Sequence, residues 1–202
     1  VYLGTGLSSI TPAQLAEDFY PHLVNGRFDR DAMAKDLSPN RAAPKRHQPH
    51  RLTQCIRNQY RSLGPSGTSF SACAAAAQAI EAGMRAIRRG QADVAIVGGH
   101  DSMDHPMGLL SFVVLGALSE SRCRPFDSNR DGFMLGEGAA VLILESERHA
   151  KARGAMPLAK LLGAGTSLDA HNATAPHPQG RGAELAMRRA LADAGLHSGD
   201  VS

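Results

Sequence analysis

The segment that decides the fold of this chain is GPSGTSFSACAAAA, residues 64–77. β-Branched, aromatic and small residues at 68–71 follow a Gly-Pro-Ser-Gly turn signal, which predicts a short buried strand. From Ala74 the composition changes to helix formers, and Gly90 provides a stop signal at the end of the predicted helix. Cys73 is therefore predicted to lie where a strand turns sharply into the first turn of a helix.

A thiol at such a position has two possible roles. The unpaired N–H groups and the positive dipole end of a helix favour the thiolate form of Cys73. Small neighbours on both sides leave the sulfur approachable and the backbone N–H groups available to hold an oxyanion. One possible role is therefore that of a nucleophile. The alternative is a small apolar cysteine packed in a core, which describes most free cysteines.

The bulk composition limits the class of protein. The chain has 202 residues, of which 43% are hydrophobic and 20% charged, as is usual for a soluble α/β protein. A formal net charge of +3 hints at an acidic partner but falls short of a nucleic-acid signature. No apolar run approaches the ~18 residues of a membrane span, and we expect no signal peptide. We expect no membrane and no nucleic-acid partner.

The cysteines point to a cellular compartment. Three of them, Cys55, Cys73 and Cys123, occur in unrelated contexts. They match neither a disulfide framework nor a zinc pattern, so no metal site is expected. A reducing cytoplasm is the better expectation for such a chain. Cys55 is expected to be packed and inert.

Strand and helix signals alternate along the rest of the chain. The expected strands cover residues 1–3, 93–99 and 141–145, and the expected helices cover about 52–62, 146–153 and 182–194. A second strand–helix stretch is expected from about Pro157. A strand, a helix and a strand of these lengths form a βαβ unit of a parallel sheet. The chain is therefore predicted to be an α/β protein.

Four further segments allow specific expectations. Gly4-Thr5-Gly6 reads as a tight turn with neither the dinucleotide nor the P-loop spacing. The basic run within 41–51 is either a solvated loop or a docking patch for an acidic carrier. The apolar residues 103–118 form either a buried helix or the wall of an apolar tunnel. Opposite charges alternate among glycines in 124–140, which predicts a folded loop whose ions pair with each other.

Four segments together resemble the β-ketoacyl synthases, the condensing enzymes of fatty-acid and polyketide synthesis. They occur in the family's order and comprise residues 64–73, 97–99, 124–140 and 169–176. The Arg-Pro-Phe-Asp sequence at 124–127 is specific to this branch and favours elongating synthases that depend on a carrier protein.

The resemblance implies a fold and a division of the chain. The fold is α/β, the layered αβαβα arrangement of the thiolase-like superfamily with mixed, mainly parallel sheets. Residues 1–155 correspond to the N-terminal half that carries the nucleophile, and 156–202 to the beginning of the C-terminal half. Because strand signals stand at both ends of the chain, we expect a piece of a longer polypeptide in which both the start and the remainder of the fold are missing.

The resemblance also implies a mechanism and site residues. Cys73 takes an acyl group from an acyl carrier protein, and its backbone N–H serves the oxyanion hole. A malonyl-type extender then loses carbon dioxide and attacks the thioester, assisted by two histidines from later segments. Thr174 matches a residue near the phosphopantetheine arm of the carrier, and Phe112 and Leu7 match residues that line the acyl pocket. No bound cofactor is implied. A homodimer is implied, with the strand before Cys73 near its interface.

The sequence also departs from the family pattern. Neither histidine motif occurs in residues 1–202, so this chain alone is predicted to be inactive. Asn172 stands where many relatives have histidine, and Gly116 stands where several have a basic residue that docks the carrier. Two other readings stay open. One is a non-catalytic partner resembling a chain-length factor, although such partners typically lack the nucleophile. The other is an α/β cysteine hydrolase, which needs a histidine within hydrogen-bond reach of Cys73.

Overall fold

The computed structural model describes residues 1–6, 13, 16–17, 19–36, 48–103, 106–172 and 175–201. Its strands are β1 (Tyr2–Thr5), β2 (Leu23–Val24), β3 (Arg27–Phe28), β4 (Gly67–Phe70), β5 (Val94–Ser102) and β6 (Glu137–Glu145). Its α-helices are α1 (Arg30–Asp36), α2 (Arg51–Gln59), α3 (Ala75–Arg88), α4 (Pro106–Val114), α5 (Glu147–Ala152) and α6 (Arg181–Ala194). Short 3₁₀ turns cover Tyr20–His22, Ala72–Ala74 and Ser198–Asp200.

Four of the strands form one sheet in the order β4-β1-β5-β6. Strand β1 runs parallel to β4, with Leu3 opposite Thr68, and parallel to β5, with Leu3 opposite Gly98. Strand β6 is antiparallel to β5. The remaining two strands, β2 and β3, pair as a separate small hairpin. The prediction of an α/β protein with a mixed, mainly parallel sheet is confirmed.

Helix α3 lies very close to the sheet because small residues face each other across the contact. A Cβ atom on Gly83 would lie 2.2 Å from Cγ1 of Val97, and one on Gly99 would lie 2.6 Å from Cβ of Ala76. Ala79 and Val97 are fully buried in this contact layer. Close approach without bulky side chains gives dense packing and little freedom for the helix to shift. The start of α3, which follows Cys73, is therefore held firmly against the sheet.

Two predictions about strands need correction. The strand before Cys73 covers Gly67–Phe70 and is half-buried rather than buried, with Phe70 52% exposed. It lies at the edge of the sheet, where no strand of the described residues covers its outer side. The tight turn expected at 4–6 is also wrong in part, because β1 continues through Gly4 and Thr5. Pairing with β4 at both residues, and with β5 at Gly4, keeps them extended.

The second strand–helix stretch is only half present. Helix α6 confirms the helix expected at 182–194, but residues 156–170 form no strand among the described residues. Instead this segment packs its backbone on α6. A Cβ atom on Gly163 would lie 2.5 Å from the Ala190 carbonyl oxygen, and one on Gly165 would lie 2.3 Å from that of Ala186. A strand needs a neighbouring strand to pair its N–H and C=O groups, and none lies beside this segment in the described residues.

The apolar segment at 103–118 contains a helix, α4, but the helix is not buried. Leu110, Val113 and Val114 are 56%, 55% and 78% exposed. The expectation of a buried helix is therefore wrong for this chain, because no described element covers this face. The other alternative, the wall of an apolar tunnel, stays a prediction. Strand β6 shows a similar apolar exposure at residues 141–143.

Candidate active site at Cys73

Cys73 lies in the middle of the 3₁₀ turn that joins the end of β4 to the start of α3. The residue before it, Ala72, has φ of 51°, a left-handed conformation that residues other than glycine rarely adopt. This left-handed conformation of Ala72 makes the change from strand to helix abrupt. The Cys73 side chain is exposed. The predicted position of the thiol is confirmed. Sharp strand-to-helix turns of this kind present nucleophiles in other α/β enzymes.

The turn is held by hydrogen bonds that do not use the Cys73 amide. The Ala74 amide donates to the Ser71 carbonyl at 3.3 Å, and the Ala75 amide donates to the Ala72 carbonyl. The Ser71 hydroxyl donates to Oε1 of Gln78 at 2.6 Å, which ties the turn to the second turn of α3. The first turn of α3 contains no acidic residue. No carboxylate in the first turn of α3 therefore offsets the positive end of the helix dipole.

The ends of two neighbouring strands meet this turn. The Gly6 amide, just after β1, donates to Oδ2 of Asp101 near the end of β5 at 2.9 Å. A Cβ atom on Gly6 would lie 3.6 Å from Cα of Ala72. The site therefore lies at the carboxyl ends of parallel strands, the usual location of sites in open α/β sheets.

The roles of Asp101 and of the early glycines were not predicted from the sequence. The Gly4-Thr5-Gly6 pattern is informative after all, because these glycines permit close backbone contacts rather than phosphate binding. Asp101 could have been suspected, since it lies two residues beyond the expected end of its strand. Its hydrogen bond to Gly6 joins residues 95 positions apart, so no local sequence pattern indicates it.

Helix α2 supports the strand that precedes the turn. The hydroxyls of Thr53 and Thr68 form a hydrogen bond of 2.7 Å, and Thr53 is almost fully buried. Cys55, on the same helix, is exposed, so the expectation that it is packed is wrong. Thr53 occupies the buried position of α2 in its place. Of the basic run, residues 41–47 lie outside the described residues, whereas His50 and Arg51 lie exposed at the start of α2.

The charged segment 124–140, predicted to be a loop whose ions pair with each other, shows one such pair among the described residues. Arg124 contacts Asp131 at 3.1 Å, and the Ser119 hydroxyl donates to the same carboxylate at 2.8 Å. The hydrogen bond from Ser119, followed by that from Arg124, lowers the pKa of the Asp131 carboxyl below its ordinary value. These contacts fix the loop that leads into Phe133 and then into β6.

Phe112 of α4 packs against this loop. Its ring meets that of Phe133 edge-on, with centroids 5.1 Å apart. No hydrogen bond or ring contact joins Phe112 to Cys73 among the described residues. Gly116, just after α4, has φ of 61°, so a side chain there would be strained.

The other expected substrate-binding residues, Leu7 and Thr174, lie outside the described residues. The loop around Thr174 is described on both sides. The His177 amide donates to Oδ2 of Asp169 at 2.7 Å, and the Ala175 amide donates to Oδ1 of Asn172 at 3.1 Å. The structure therefore joins Asp169 to His177 and Asn172 to Ala175 by side-chain hydrogen bonds.

The described residues contain neither a metal-binding cluster nor a membrane-spanning helix. Within them, no group of three or more His, Cys, Asp or Glu side chains is arranged to hold a metal ion. No helix in the part of the chain that the structure describes has the length and apolar character needed to cross a membrane.

Comparison with known proteins agrees with the geometry. The family model for the β-ketoacyl synthase N-terminal domain matches residues 8–150, and the model for the C-terminal domain matches 158–202. Over 143 residues the chain is 42% identical to 3-oxoacyl-[acyl-carrier-protein] synthase 2 of Staphylococcus aureus. The aligned region covers 68% of this chain and 36% of that protein. The chain thus spans about a third of the length of this curated relative.

Two solved structures are similar over nearly the whole chain. One is a ketosynthase in complex with its chain length factor from Xenorhabdus doucetiae, with 29% identity and a TM-score of 0.72, over 96% of this chain and 44% of that chain. The other is a type II PKS acyl-carrier protein in complex with its ketosynthase bound to the hexaketide, with 26% identity and a TM-score of 0.76, over 98% of this chain and 50% of that chain. The exposed thiol at a strand–helix turn and the two family matches lead to one conclusion: this chain belongs to the β-ketoacyl synthase family and has its thiolase-like fold.

Proposed function

We propose that the full-length protein is a β-ketoacyl-[acyl-carrier-protein] synthase, an acyltransferase that performs a decarboxylating Claisen condensation in fatty-acid or polyketide synthesis. The observation that carries the proposal is the exposed Cys73 thiol at the turn into α3. The name of the curated relative, 3-oxoacyl-[acyl-carrier-protein] synthase 2, supports the same proposal. Cys73 is the proposed catalytic residue.

The reaction has two stages. The Cys73 thiolate attacks the carbonyl carbon of an acyl thioester on the carrier, and the bond from that carbon to the carrier sulfur breaks. The carrier sulfur leaves as a thiolate and takes up the proton that Cys73 lost. The Cys73 amide takes no part in the hydrogen bonds of the turn described above, and it donates to the oxyanion. A malonyl-type thioester then loses carbon dioxide, and the electron pair of that bond forms a new bond to the acyl carbon. The Cys73 thiolate is released, and a β-ketoacyl thioester remains on the carrier.

The second stage needs groups outside this chain. The family resemblance assigns decarboxylation to two histidines whose motifs do not occur in residues 1–202. We therefore propose that residues 1–202 alone can be acylated but cannot complete the condensation. We also propose the division into a nucleophile half, 1–155, and the start of a second half, 156–202. A cytoplasmic location belongs to the same proposal.

Substrate contacts and partners are proposed from the same resemblance. Phe112 and Leu7 are proposed to line the acyl pocket and Thr174 to contact the phosphopantetheine arm of the acyl carrier protein. No cofactor of its own is needed for this chemistry. The ketosynthase structure with an acyl-carrier protein supports the carrier as a partner. A homodimer through the uncovered edge of β4 is also proposed.

Acyl loading tests this function. The full-length protein is incubated with an acyl carrier protein charged with an acyl group, and the modified peptide is located by mass spectrometry. We expect one acyl group on Cys73, none in Cys73→Ala, and unchanged loading in Cys55→Ala, a matched control because both thiols are exposed. Loading on Cys55 or Cys123, or loading that survives Cys73→Ala, would overturn the assignment.

A second candidate is a chain-length-factor-like subunit that shapes a heterodimer without catalysing. The similarity to a ketosynthase in complex with its chain length factor favours considering it. In that case condensation by the heterodimer survives Cys73→Ala. A cysteine hydrolase has less support, because no histidine of the described residues is hydrogen-bonded to Cys73.

A further inference from the structure

Asp101 joins two strand ends beside the Cys73 turn. The pairing of β1 with β5 ends with Gly4 opposite Gly99. The Gly6 amide lies beyond this pairing, and it donates to Oδ2 of Asp101 at 2.9 Å. A backbone N–H group that has no strand partner needs such an acceptor. The Asp101 side chain thus extends the contact between the two strands toward the turn.

The Asp101 carboxylate is itself held in place. Its Oδ1 accepts a hydrogen bond of 3.0 Å from the Ser102 amide. Ser102 lies opposite Glu137 in the pairing of β5 with β6, and its hydroxyl donates to Oε2 of Glu137 at 2.8 Å. Each oxygen of Asp101 therefore accepts from a backbone amide. A side-chain amide in its place would have one acceptor oxygen for the two donors.

Gly6, the residue that Asp101 holds, lies beside the residue that precedes the nucleophile. A Cβ atom on Gly6 would lie 3.6 Å from Cα of Ala72. Ala72 has φ of 51°, and an alanine in this left-handed conformation persists only where its surroundings hold it. The Ala75 amide holds Ala72 from the side of α3 through its carbonyl. Gly6 is the neighbour of Ala72 from the end of β1.

We propose that Asp101 is a positioning residue for Cys73. By holding Gly6 against Ala72, it preserves the left-handed backbone that sets where the sulfur and the amide of Cys73 point. Asp101 acts through these two residues and not on the reacting atoms. The inference rests on the proposed function, in which the sulfur must meet an acyl carbon while the amide meets the oxyanion. A misplacement of about 1 Å can cost such a reaction about 10²-fold in rate.

The test measures two reactions of Cys73 in the full-length protein. Alkylation by iodoacetamide needs an exposed thiol and no oxyanion donor. Acyl transfer from a charged acyl carrier protein needs the thiol and the amide placed together. For Asp101→Ala we expect alkylation within about twofold of the unchanged protein. The maximal rate of acyl transfer should fall about 10- to 100-fold, while the carrier concentration that gives half of that rate stays within about twofold.

Two further substitutions break the same contact in other ways. Asp101→Asn can serve only one of the two backbone amides, so it is expected to lose less than Asp101→Ala. Gly6→Ala places a Cβ atom 2.4 Å from Oδ2 of Asp101 and forces the carboxylate away, so it should also slow acyl transfer. Both decide the matter if Asp101→Ala does not fold. Because Asp101→Ala and Gly6→Ala break one contact, the double variant should lose no more than the larger single loss.

Asp93→Ala is the matched control. Asp93 directly precedes β5, at the end of the strand opposite to Asp101. It accepts hydrogen bonds from the Ser146 hydroxyl at 3.1 Å and from Nη2 of Arg148 at 2.6 Å. The control therefore also removes two hydrogen bonds of an aspartate, but at the far end of the same strand. Both reactions of Cys73 should stay within about twofold.

Four outcomes would overturn the proposal. Acyl transfer by the Asp101 variants and Gly6→Ala at the level of Asp93→Ala would show that the contact does not position Cys73. A parallel loss of alkylation and acyl transfer would show a general structural role instead. Losses that multiply in the double variant would show that Asp101 does not act through Gly6. No acyl transfer to the unchanged protein would overturn the proposed function, and this inference with it. That last result is visible before any variant is made, so the two failures are distinguishable.

Discussion

A Cβ atom on Gly4 would lie 2.2 Å from the carbonyl carbon of Ala75, so strand β1 and the start of α3 touch through their backbones. The same atom would lie 2.4 Å from the Ala75 oxygen and from the Ala76 amide nitrogen. Backbone atoms in a packed helix cannot move aside as a flexible side chain can. Gly4 therefore permits the start of α3, just after the Cys73 turn, to lie directly against β1.

Gly4→Ala is expected to destabilise the protein and to disturb the site. The added methyl group forces β1 and α3 apart, and overpacking of this kind costs about 1–3 kcal/mol of unfolding free energy. The urea-unfolding midpoint of the full-length protein measures the loss. Gly64→Ala is the control, because its Cβ would meet its nearest atoms at 3.9 Å. Equal midpoints for the two variants would contradict the argument.

Thr53→Val is expected to lower the free energy of unfolding by about 1–2 kcal/mol, because it leaves the Thr68 hydroxyl without its 2.7 Å partner. Thr68→Val should behave similarly. The double variant should cost less than the sum of the two, since both hydroxyls are then gone. Urea unfolding of all four proteins measures the coupling. Strictly additive losses would show that the two hydroxyls do not interact.

Glu145 is expected to make stability depend on acid pH. Hydrogen bonds from Arg153 and then His149 lower the pKa of Glu145 from 4.5 to about 2. Because the folded pKa lies below the unfolded one, the stabilisation is complete above pH 4.5 and is lost as the pH falls toward 2.

Glu145→Gln should remove this pH-dependent stabilisation. The urea-unfolding midpoint of the variant should therefore change less between pH 4.5 and 2 than that of the unchanged protein. Glu120→Gln, at an exposed position, is the control and should keep the original dependence. Midpoints are measured by urea unfolding at several pH values on either side of the ordinary glutamate pKa. Parallel curves for both variants would contradict the role of Glu145.

Cys73 is expected to react with iodoacetamide faster than Cys55 and Cys123, although all three thiols are exposed. The physical reason is its position before the positive end of α3, which attracts negative charge. Limited alkylation of the full-length protein, followed by peptide mass spectrometry, gives the order of labelling. Faster labelling of either other cysteine would show that exposure, rather than the helix end, governs reactivity.

Much of the local structure was predictable because its signals lie within a few residues. Gly90, with φ of 67°, follows the end of α3 where the sequence places a stop. Ser146 caps α5, its hydroxyl accepting the His149 amide at 3.3 Å. The ion pair between Arg124 and Asp131 also joins near neighbours in the chain. Each of these features depends on short-range chemistry that a sequence displays directly.

By itself, the sequence determined the strand–turn–helix that presents Cys73, the alternation of strands and helices, and membership of the family. Only the tertiary structure decided that β4 lies at an edge, that α4 stays exposed, and that 156–170 rests on α6 without forming a strand. It also decided which distant residues meet, as Gly6 does with Asp101 and Arg88 with Asp193. The reason is physical. Caps, turns and helix ends are set by atoms close in the chain, whereas burial and pairing depend on which surfaces the whole fold brings together.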